Sequence, residues 1–247
     1  MSRLVMLSGP SCVGKGPLHT ALKRFYPNLN QRLEMLVLFN SRAPRPGEQD
    51  GTAYHFRTRD EIEALRGQQG YIVQDVRGDL QALKIADLQQ VLERDRDPFF
   101  EGNPFIPMEI IKSPLLSSIP KLSVFLSPLS RDELLYLKDP DRRVSLATLV
   151  TDVQRRKLLH RARKQKGILA LTDLENIERR AGSAYQEMRL AHHFDFVIPL
   201  HDGEANDNWD AFYYPISDAR RALLAFAAIL RGAEAPYAER WEPGLLG

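Results

Sequence analysis

The chain has little of several features that would restrict its function. Its 247 residues include one cysteine, Cys12, so no disulfide can form within the chain, and this fits a reducing compartment such as the cytoplasm. No apolar run approaches the ~20 residues that a membrane-spanning helix needs. Lys and Arg number 34 against 32 for Asp and Glu. The balanced charge therefore argues against a large nucleic-acid footprint and against an anionic membrane as partner.

The composition is that of an ordinary globular protein. Hydrophobic residues make up 43% of the chain and charged residues 27%, so there is enough apolar surface for a sizeable core. A chain of this length can hold one α/β domain with insertions.

A short apolar run near the start leads directly into a glycine-rich loop. Residues 4–8 predict a buried parallel strand. The pattern Gly-x-x-x-x-Gly-Lys follows, and apolar residues at helical spacing come after it. Strand, loop and helix in this order are typical of a P-loop, whose backbone N–H groups hold phosphate. The alternative is a glycine-rich turn without a ligand. If the loop is a P-loop, the phosphates of ATP are expected to contact Gly9, Ser11, Cys12, Val13, Gly14, Lys15 and Gly16, with Lys15 reaching the outer phosphates.

The residue after Lys15 departs from the full P-loop signature. A Ser or Thr hydroxyl normally binds Mg²⁺ there, but this chain has Gly16. Either the metal is held through water and another residue, or the phosphate site is weakened. Glu101 ends an apolar run that predicts another buried strand, and strand-end carboxylates commonly orient Mg²⁺ or its waters. Glu101 is therefore the expected metal residue, acting through water, and the alternative is a solvated carboxylate.

A second segment combines arginines with prolines. Arg42 and Arg45 lie three residues apart among prolines, and two acidic residues, Gly51 and an aromatic pair follow. Proline restricts the backbone and arginine pairs with phosphate through two parallel hydrogen bonds. The segment therefore reads either as a rigid anion clamp or as a solvated polar loop.

Together, the two segments resemble the guanylate kinase family of P-loop nucleoside monophosphate kinases. That family has the loop Gly-Pro-Ser-x-x-Gly-Lys and then Thr-Arg-x-Pro-Arg-x-Gly-Glu-x-x-Gly-x-x-Tyr-x-Phe. Residues 41–56 match the fixed positions of the second motif except for Ser41 in place of Thr. The resemblance implies that Arg42, Arg45 and Tyr54 bind the phosphate of the acceptor.

The positions that read guanine in the family are not kept. Residues 73–74 replace its glutamate, Leu83 stands near its hydroxyl residue, and Leu38 aligns with its serine. A hydrogen bond to a base edge is worth roughly 1–3 kcal/mol, so their loss should reduce the preference for guanine. The alternative is that the alignment slips by one residue here. Other hydrogen bonds to the acceptor are expected from Gln74, Gln81 and Asn103.

A basic stretch follows at the position of the family's lid. Arginines of the lid close over the transferring phosphates, where neutralising charge is the main catalytic device. The resemblance implies this role for Arg161 or Arg163 of the stretch. It implies the same role for Arg180 of the helix that follows the lid, with Lys15 as a further catalytic cation. A basic run is otherwise most often a solvated helix face.

Local patterns predict several other elements. Residues 33–39 predict one strand. Thr58 and Ser130 each open a capping box, and Thr172 is expected to cap a further helix. The last helix is expected to end at Gly232.

We therefore expect an α/β fold: a P-loop NTPase-type parallel sheet flanked by helices, with an inserted acceptor-binding subdomain and a helical lid. The resemblance covers roughly residues 3–231. The expected division of a single domain over 1–232 is a core of 1–37, 97–137 and 173–232, an acceptor-binding subdomain of about 38–96 and an extended lid of about 138–172, followed by a loosely ordered tail at 233–247.

The resemblance implies ATP-dependent phosphoryl transfer to a nucleoside monophosphate, with Mg²⁺, by a monomer or homodimer. Two alternatives stay open. One is a kinase for a phosphorylated sugar of the ribose 1,5-bisphosphate type, whose acceptor has no base. The other is a catalytically silent binding module of the same fold, which Gly16 would favour.

Overall fold

The computed structural model describes residues 2–44 and 47–246. The chain divides into two compact units. One consists of Met1–Met6 and Arg32–Leu122, and the other of Leu7–Gln31 and Ser123–Gly247.

A five-stranded sheet carries the P-loop segment on its central strand. That strand is β1 (Leu4–Ser8), and every residue of it is buried. The strand order is β2-β7-β1-β8-β9, where β2 is Leu33–Met35, β7 is Asp97–Gly102, β8 is Lys121–Ser127 and β9 is Phe196–Pro199. β2 pairs with β7 and β8 pairs with β9, both in parallel. Buried apolar strands of this kind are typical of parallel sheets, and the expected α/β class is confirmed.

A smaller sheet lies in the first unit, with the order β4-β3-β6-β5. β5 (Tyr71–Val76) and β6 (Asp79–Lys84) form an antiparallel hairpin. Its two-residue turn has positive φ at both Arg77 (58°) and Gly78 (88°), as a tight hairpin turn requires. The remaining strands are β3 (Phe39–Asn40) and β4 (His55–Phe56).

The prediction of one strand over residues 33–39 is wrong. β2 ends at Met35, and β3 begins at Phe39 in the smaller sheet. The intervening Leu36 and Leu38 are buried in the apolar core of the first unit. Because Leu36 and Leu38 are apolar and buried like the strand residues around them, the sequence pattern does not show the point where the backbone leaves one sheet for the other.

The helices of the first unit are short. Thr58 opens α3 (Arg59–Glu63) with the predicted capping box: its backbone N–H donates to Glu61, and its side chain accepts from the N–H of Glu61. α4 (Ile85–Glu93) and α5 (Phe105–Lys112) follow.

The second unit holds the longer helices. The capping box at Ser130 is confirmed, and the last helix ends at Gly232 in the left-handed conformation as expected. The cap expected at Thr172 is wrong: Ala170 takes the N-cap position, and its N–H bonds to Asp173. The helices are α1 (Lys15–Phe25), α2 (Pro27–Asn30), α6 (Arg131–Leu137), α7 (Leu146–Lys166), α8 (Leu171–Gly182), α9 (Ala184–Met188) and α10 (Ser217–Arg231).

The C-terminal segment differs from the expected loose tail. Glu239 pairs with Val197 of β9 through two backbone hydrogen bonds of 2.7 and 2.8 Å. Trp241, Leu245 and Leu246 are buried. The prolines and glycine suggested disorder, but burial of three large apolar side chains outweighs the entropy of ordering a short segment.

Within the described ranges, no helix combines the length and the apolar character needed to cross a bilayer.

Candidate active site

The glycine-rich loop between β1 and α1 has the backbone of a phosphate cradle. Gly9, Cys12 and Gly14 all have positive φ, at 149°, 67° and 122°. A Cβ on Gly9 would lie 2.5 Å from the carbonyl oxygen of Leu126 in β8. Only glycine allows this approach. The loop leads into the N-terminus of α1, so its N–H groups and the helix dipole favour an anion there.

Lys15 and the smaller loop residues are buried. The ammonium of Lys15 donates to the carbonyls of Gly9 and Pro10, each at 2.8 Å. The positive charge of Lys15 is therefore bound by carbonyl groups of the loop itself. Ser11, Cys12 and Val13 are also buried, and Gly16 lies in the first turn of α1 without a hydroxyl to offer.

Two helices bring arginines to this loop. Arg180 of α8 donates from Nε to Oγ of Ser11 at 2.8 Å. Arg161 of α7 forms an ion pair with Glu204, and its Nε is buried without a hydrogen-bond partner. The backbone N–H of Glu204 donates to the carbonyl of Cys12 at 3.2 Å. The structure therefore places both predicted lid arginines at the loop, Arg180 directly and Arg161 through Glu204.

Sequence reasoning missed the segment after β9. Residues 202–209, here called the strap, lie against the P-loop. A Cβ on Gly203 would meet the carbonyl of Cys12 at 3.1 Å, and a Cβ on Gly14 would meet the ring of Trp209 at 3.3 Å. The strap's composition, polar and then aromatic, carries no motif. The only available signal was its position after the last strand of a parallel sheet, where ligand sites gather.

Opposite charges meet where the strap touches the loop. Burial alone would raise the pKa of Glu204, but Arg161, Lys15 and also Arg180 lower it below its usual range. Burial also lowers the pKa of Lys157 in α7 to about 8. In the loop, burial raises the pKa of the Cys12 thiol. Glu204 is therefore ionised at neutral pH in the company of all three predicted catalytic cations.

The first unit holds the predicted acceptor residues. Arg42 forms a bidentate pair with Glu48 at 2.6 and 2.7 Å. Its guanidinium lies 5.1 Å from the ring centre of Tyr54 and 5.4 Å from that of Phe56. The structure thus brings Arg42 and Tyr54 together, while Arg45 lies outside the described residues.

Gln81 and Asn103 form a buried pair. Asn103 donates from Nδ2 to Oε1 of Gln81 at 2.8 Å, and its Oδ1 accepts from the backbone N–H groups of Phe105 and Ile106. The amide of Asn103 thereby satisfies N–H groups at the start of α5. It also holds the side chain of Gln81 in one orientation.

Two of the positions that read guanine in the family are apolar and packed here, whereas Gln74 is half-buried in β5. Leu38 and Leu83 are 4% and 1% exposed, and both belong to the apolar core of the first unit, on which Tyr54 also packs. Glu101 is half-buried in β7. Across residues 2–44 and 47–246, no three His, Cys, Asp or Glu side chains group as a metal site would require.

Comparison with known proteins agrees with this arrangement. The family model described as guanylate kinase matches residues 1–141. A guanylate kinase of Alkalilimnicola ehrlichii is 28% identical over 208 residues, which is 84% of this chain and 82% of that protein. A guanylate kinase of Synechococcus sp. is 50% identical over 60 residues, and one of Streptococcus pneumoniae is 31% identical over 134 residues. These two matches span only 26% and 60% of the relatives' own lengths.

The fold agrees as well. A crystal structure of guanylate kinase from Anaplasma phagocytophilum superposes with a TM-score of 0.54 at 18% identity, covering 94% of this chain and 85% of that one. Because the family model matches more than half of the chain, the chain belongs to the guanylate kinase family.

Proposed function

We propose that the chain transfers the terminal phosphoryl group of ATP to the phosphate of a nucleoside monophosphate. Family membership supports kinase chemistry of this type. The observation that carries the proposal is the grouping of Lys15, Arg161 and Arg180 around one P-loop. Three cations beside a loop that leads into a helix N-terminus suit a triphosphate better than any neutral ligand.

The proposed mechanism needs charge and positioning rather than a protein nucleophile. The acceptor phosphate attacks in line, and negative charge spreads over the transferring oxygens. Lys15 would bind the outer phosphates, while Arg161 and Arg180 would stabilise that charge. The buried Nε of Arg161, which has no partner, is a donor ready for a phosphate oxygen.

The donor set is compatible with Mg²⁺. In kinase sites this ion keeps several waters and takes one or two carboxylates together with substrate phosphates, so a cluster of three acidic residues is not required. Glu101 would hold the ion through water. When bound, Mg²⁺ neutralises part of the charge on the phosphates.

The acceptor would be bound by its phosphate. Arg42 and Tyr54 lie together in the first unit, and the family motif around them supports a phosphate-binding role, which also includes Arg45. Gln81 would add a hydrogen bond, in an orientation fixed by Asn103.

A second candidate is a kinase for a phosphorylated sugar that has no base. The observation that favours it is the burial of Leu38 and Leu83 in the apolar core, since neither side chain can hydrogen-bond to a base edge. Both candidates use the same phosphate chemistry and differ only in the acceptor. The single cysteine supports placing the protein in the cytoplasm in either case.

The test is ADP formation from MgATP with a panel of acceptors: GMP, dGMP, other nucleoside monophosphates and ribose 1,5-bisphosphate. Lys15→Ala is the loss variant. Lys23→Ala is its matched control, because Lys23 is an exposed lysine on the same helix α1. We expect one acceptor to turn over, Lys15→Ala to abolish turnover and Lys23→Ala to retain it.

The panel also decides between the candidates. Turnover of a nucleotide supports the first proposal, and turnover of the sugar bisphosphate alone supports the second. If no acceptor turns over and ATP does not bind, the kinase proposal is refuted and a binding module remains.

A further inference from the structure

The strap places a carboxylate of the protein itself among the cations of the P-loop. Glu204 forms an ion pair with Arg161, and the charges of Lys15 and Arg180 also act on it. These are the three cations assigned to the triphosphate, so the inference drawn from them rests on the proposed function.

Glu204 is held in this place by more than its ion pair. Its backbone N–H donates to the carbonyl of Cys12 in the loop at 3.2 Å. Next to it, Gly203 accepts a hydrogen bond of 2.7 Å from the indole N–H of Trp209. The indole in turn lies against Gly14.

The strap is anchored at its base as well. One oxygen of Asp202 accepts from the side-chain amide of Asn208, and the other accepts from the backbone N–H of Ala219 in α10, both at 2.9 Å. These contacts give the strap a defined conformation, so the position of Glu204 is set by the fold of the segment and not by its charge alone.

A carboxylate and a phosphate present similar chemistry to an arginine. Both are anions whose paired oxygens accept two parallel N–H bonds from a guanidinium. Arg161 donates a hydrogen bond from one of its terminal nitrogens to the carboxylate of Glu204. Its Nε has no partner, so the guanidinium is only partly satisfied by the carboxylate.

We propose that Glu204 acts as an internal anion at the P-loop, and that a nucleoside triphosphate binds by displacing this carboxylate from Arg161 and moving the strap. The closed strap is then the resting state of the protein. Only the fraction of molecules with an open strap is competent to bind, which weakens the apparent affinity by that fraction.

The test compares the dissociation constant of MgATP for the native chain and for Glu204→Gln by titration calorimetry. Glutamine keeps the size of the side chain but removes its charge. Because a minor open state is typically populated at about 10% or less, and because the other anchors of the strap remain in the variant, we expect the dissociation constant to fall by up to about tenfold.

Asp207→Asn is the matched control. Asp207 lies on the same strap and pairs with Lys164 of the same helix α7 at 2.8 Å, but the aspartate is 81% exposed. The substitution removes one negative charge from the strap without touching the P-loop cations. We expect its dissociation constant to stay within about twofold of the native value, as for a screened surface pair.

Other results would overturn the inference. An unchanged dissociation constant in Glu204→Gln would show that the carboxylate does not compete with ATP. A weaker affinity that depends on Mg²⁺ would show that Glu204 is a metal ligand. An equal increase in MgATP affinity in Asp207→Asn would show that the effect depends only on the net charge of the strap. In these cases the proposed function would stand, whereas failure of ATP to bind either protein would refute both.

A second measurement uses the native chain and does not depend on a variant that folds. The N–H of Glu204 is bonded to the loop carbonyl of Cys12, so its hydrogen exchange reports the closed strap. We expect saturating MgATP to accelerate exchange across residues 202–209. Exchange that is unchanged or slowed in the saturated complex would overturn the inference.

Discussion

Replacing Gly9 by alanine should damage the junction of β1 with the P-loop. The added Cβ would lie 2.5 Å from the carbonyl oxygen of Leu126 and 3.3 Å from its backbone nitrogen. Both atoms belong to the buried strand β8, so no flexible side chain can move aside. The φ angle of Gly9, 149°, is in addition one that alanine rarely adopts.

The cost can be worked out from these two effects. A residue held in a sparsely populated backbone conformation costs about 1–3 kcal/mol, and overpacking a well-packed site costs about 1–3 kcal/mol. Because one backbone shift relieves part of both, we expect a loss of about 3 kcal/mol in the free energy of unfolding. For a chain of this size that corresponds to a melting temperature lower by about 6–12 °C.

Thermal unfolding of Gly9→Ala should be compared with that of Gly232→Ala. Gly232 also has positive φ, 70°, but a Cβ there would meet nothing within 4 Å. Its substitution therefore measures backbone strain alone, about 1 kcal/mol. If both variants lose the same stability, the close approach to β8 contributes nothing and the reasoning is wrong.

Three further changes test other parts of the second unit. Burial opposes the charge on His201, but its bonds to Glu133 and Asp218 raise its pKa. The stability that the charged His201 contributes is therefore present below about pH 6.5 and is lost as pH rises through the raised pKa. The melting temperature of His201→Gln should not show this fall with rising pH. Burial lowers the pKa of Lys157 from 10.5 to about 8, which corresponds to about 3 kcal/mol at pH 7. Lys157→Met should therefore raise the free energy of unfolding near pH 7 by about that amount. The free energy of unfolding of the native chain should rise between pH 8 and the pKa of the unfolded lysine near 10.5. If urea unfolding shows neither this rise nor the gain in Lys157→Met, Lys157 does not carry a buried charge. Deleting residues 239–247 removes three buried apolar side chains and should cost about 4 kcal/mol or more in thermal unfolding; a loss below about 1 kcal/mol would restore the expectation of a loose tail.

Much of the geometry of the glycine-rich loop could be predicted because it is local. Gly9, Gly14 and Lys15 are close in sequence, and the loop that they form depends on the conformations of a few neighbouring residues. The positions of the arginines were harder to predict, because the approach of Arg161 and Arg180 to the loop depends on how α7 and α8 pack. Their expected positions came from the family resemblance rather than from spacing.

The contacts that were missed are made by residues far apart in the sequence. Glu204 lies 43 residues after its partner Arg161, in a segment without regular hydrophobic periodicity. Trp241 was missed for a similar reason, because proline and glycine near it suggested disorder while its burial depends on long-range packing. Periodicity describes which face of an element is buried, but it carries no information on irregular segments.

The pairing of Glu239 with Val197 has a consequence for how the protein behaves in concentrated solution. β9 is an edge strand of the five-stranded sheet, and an open edge offers backbone N–H and C=O groups to any passing strand. The C-terminal segment takes up part of that edge with its own backbone. A nick or truncation there would uncover a template for strand addition between molecules, so this short segment also protects the protein from edge-to-edge aggregation.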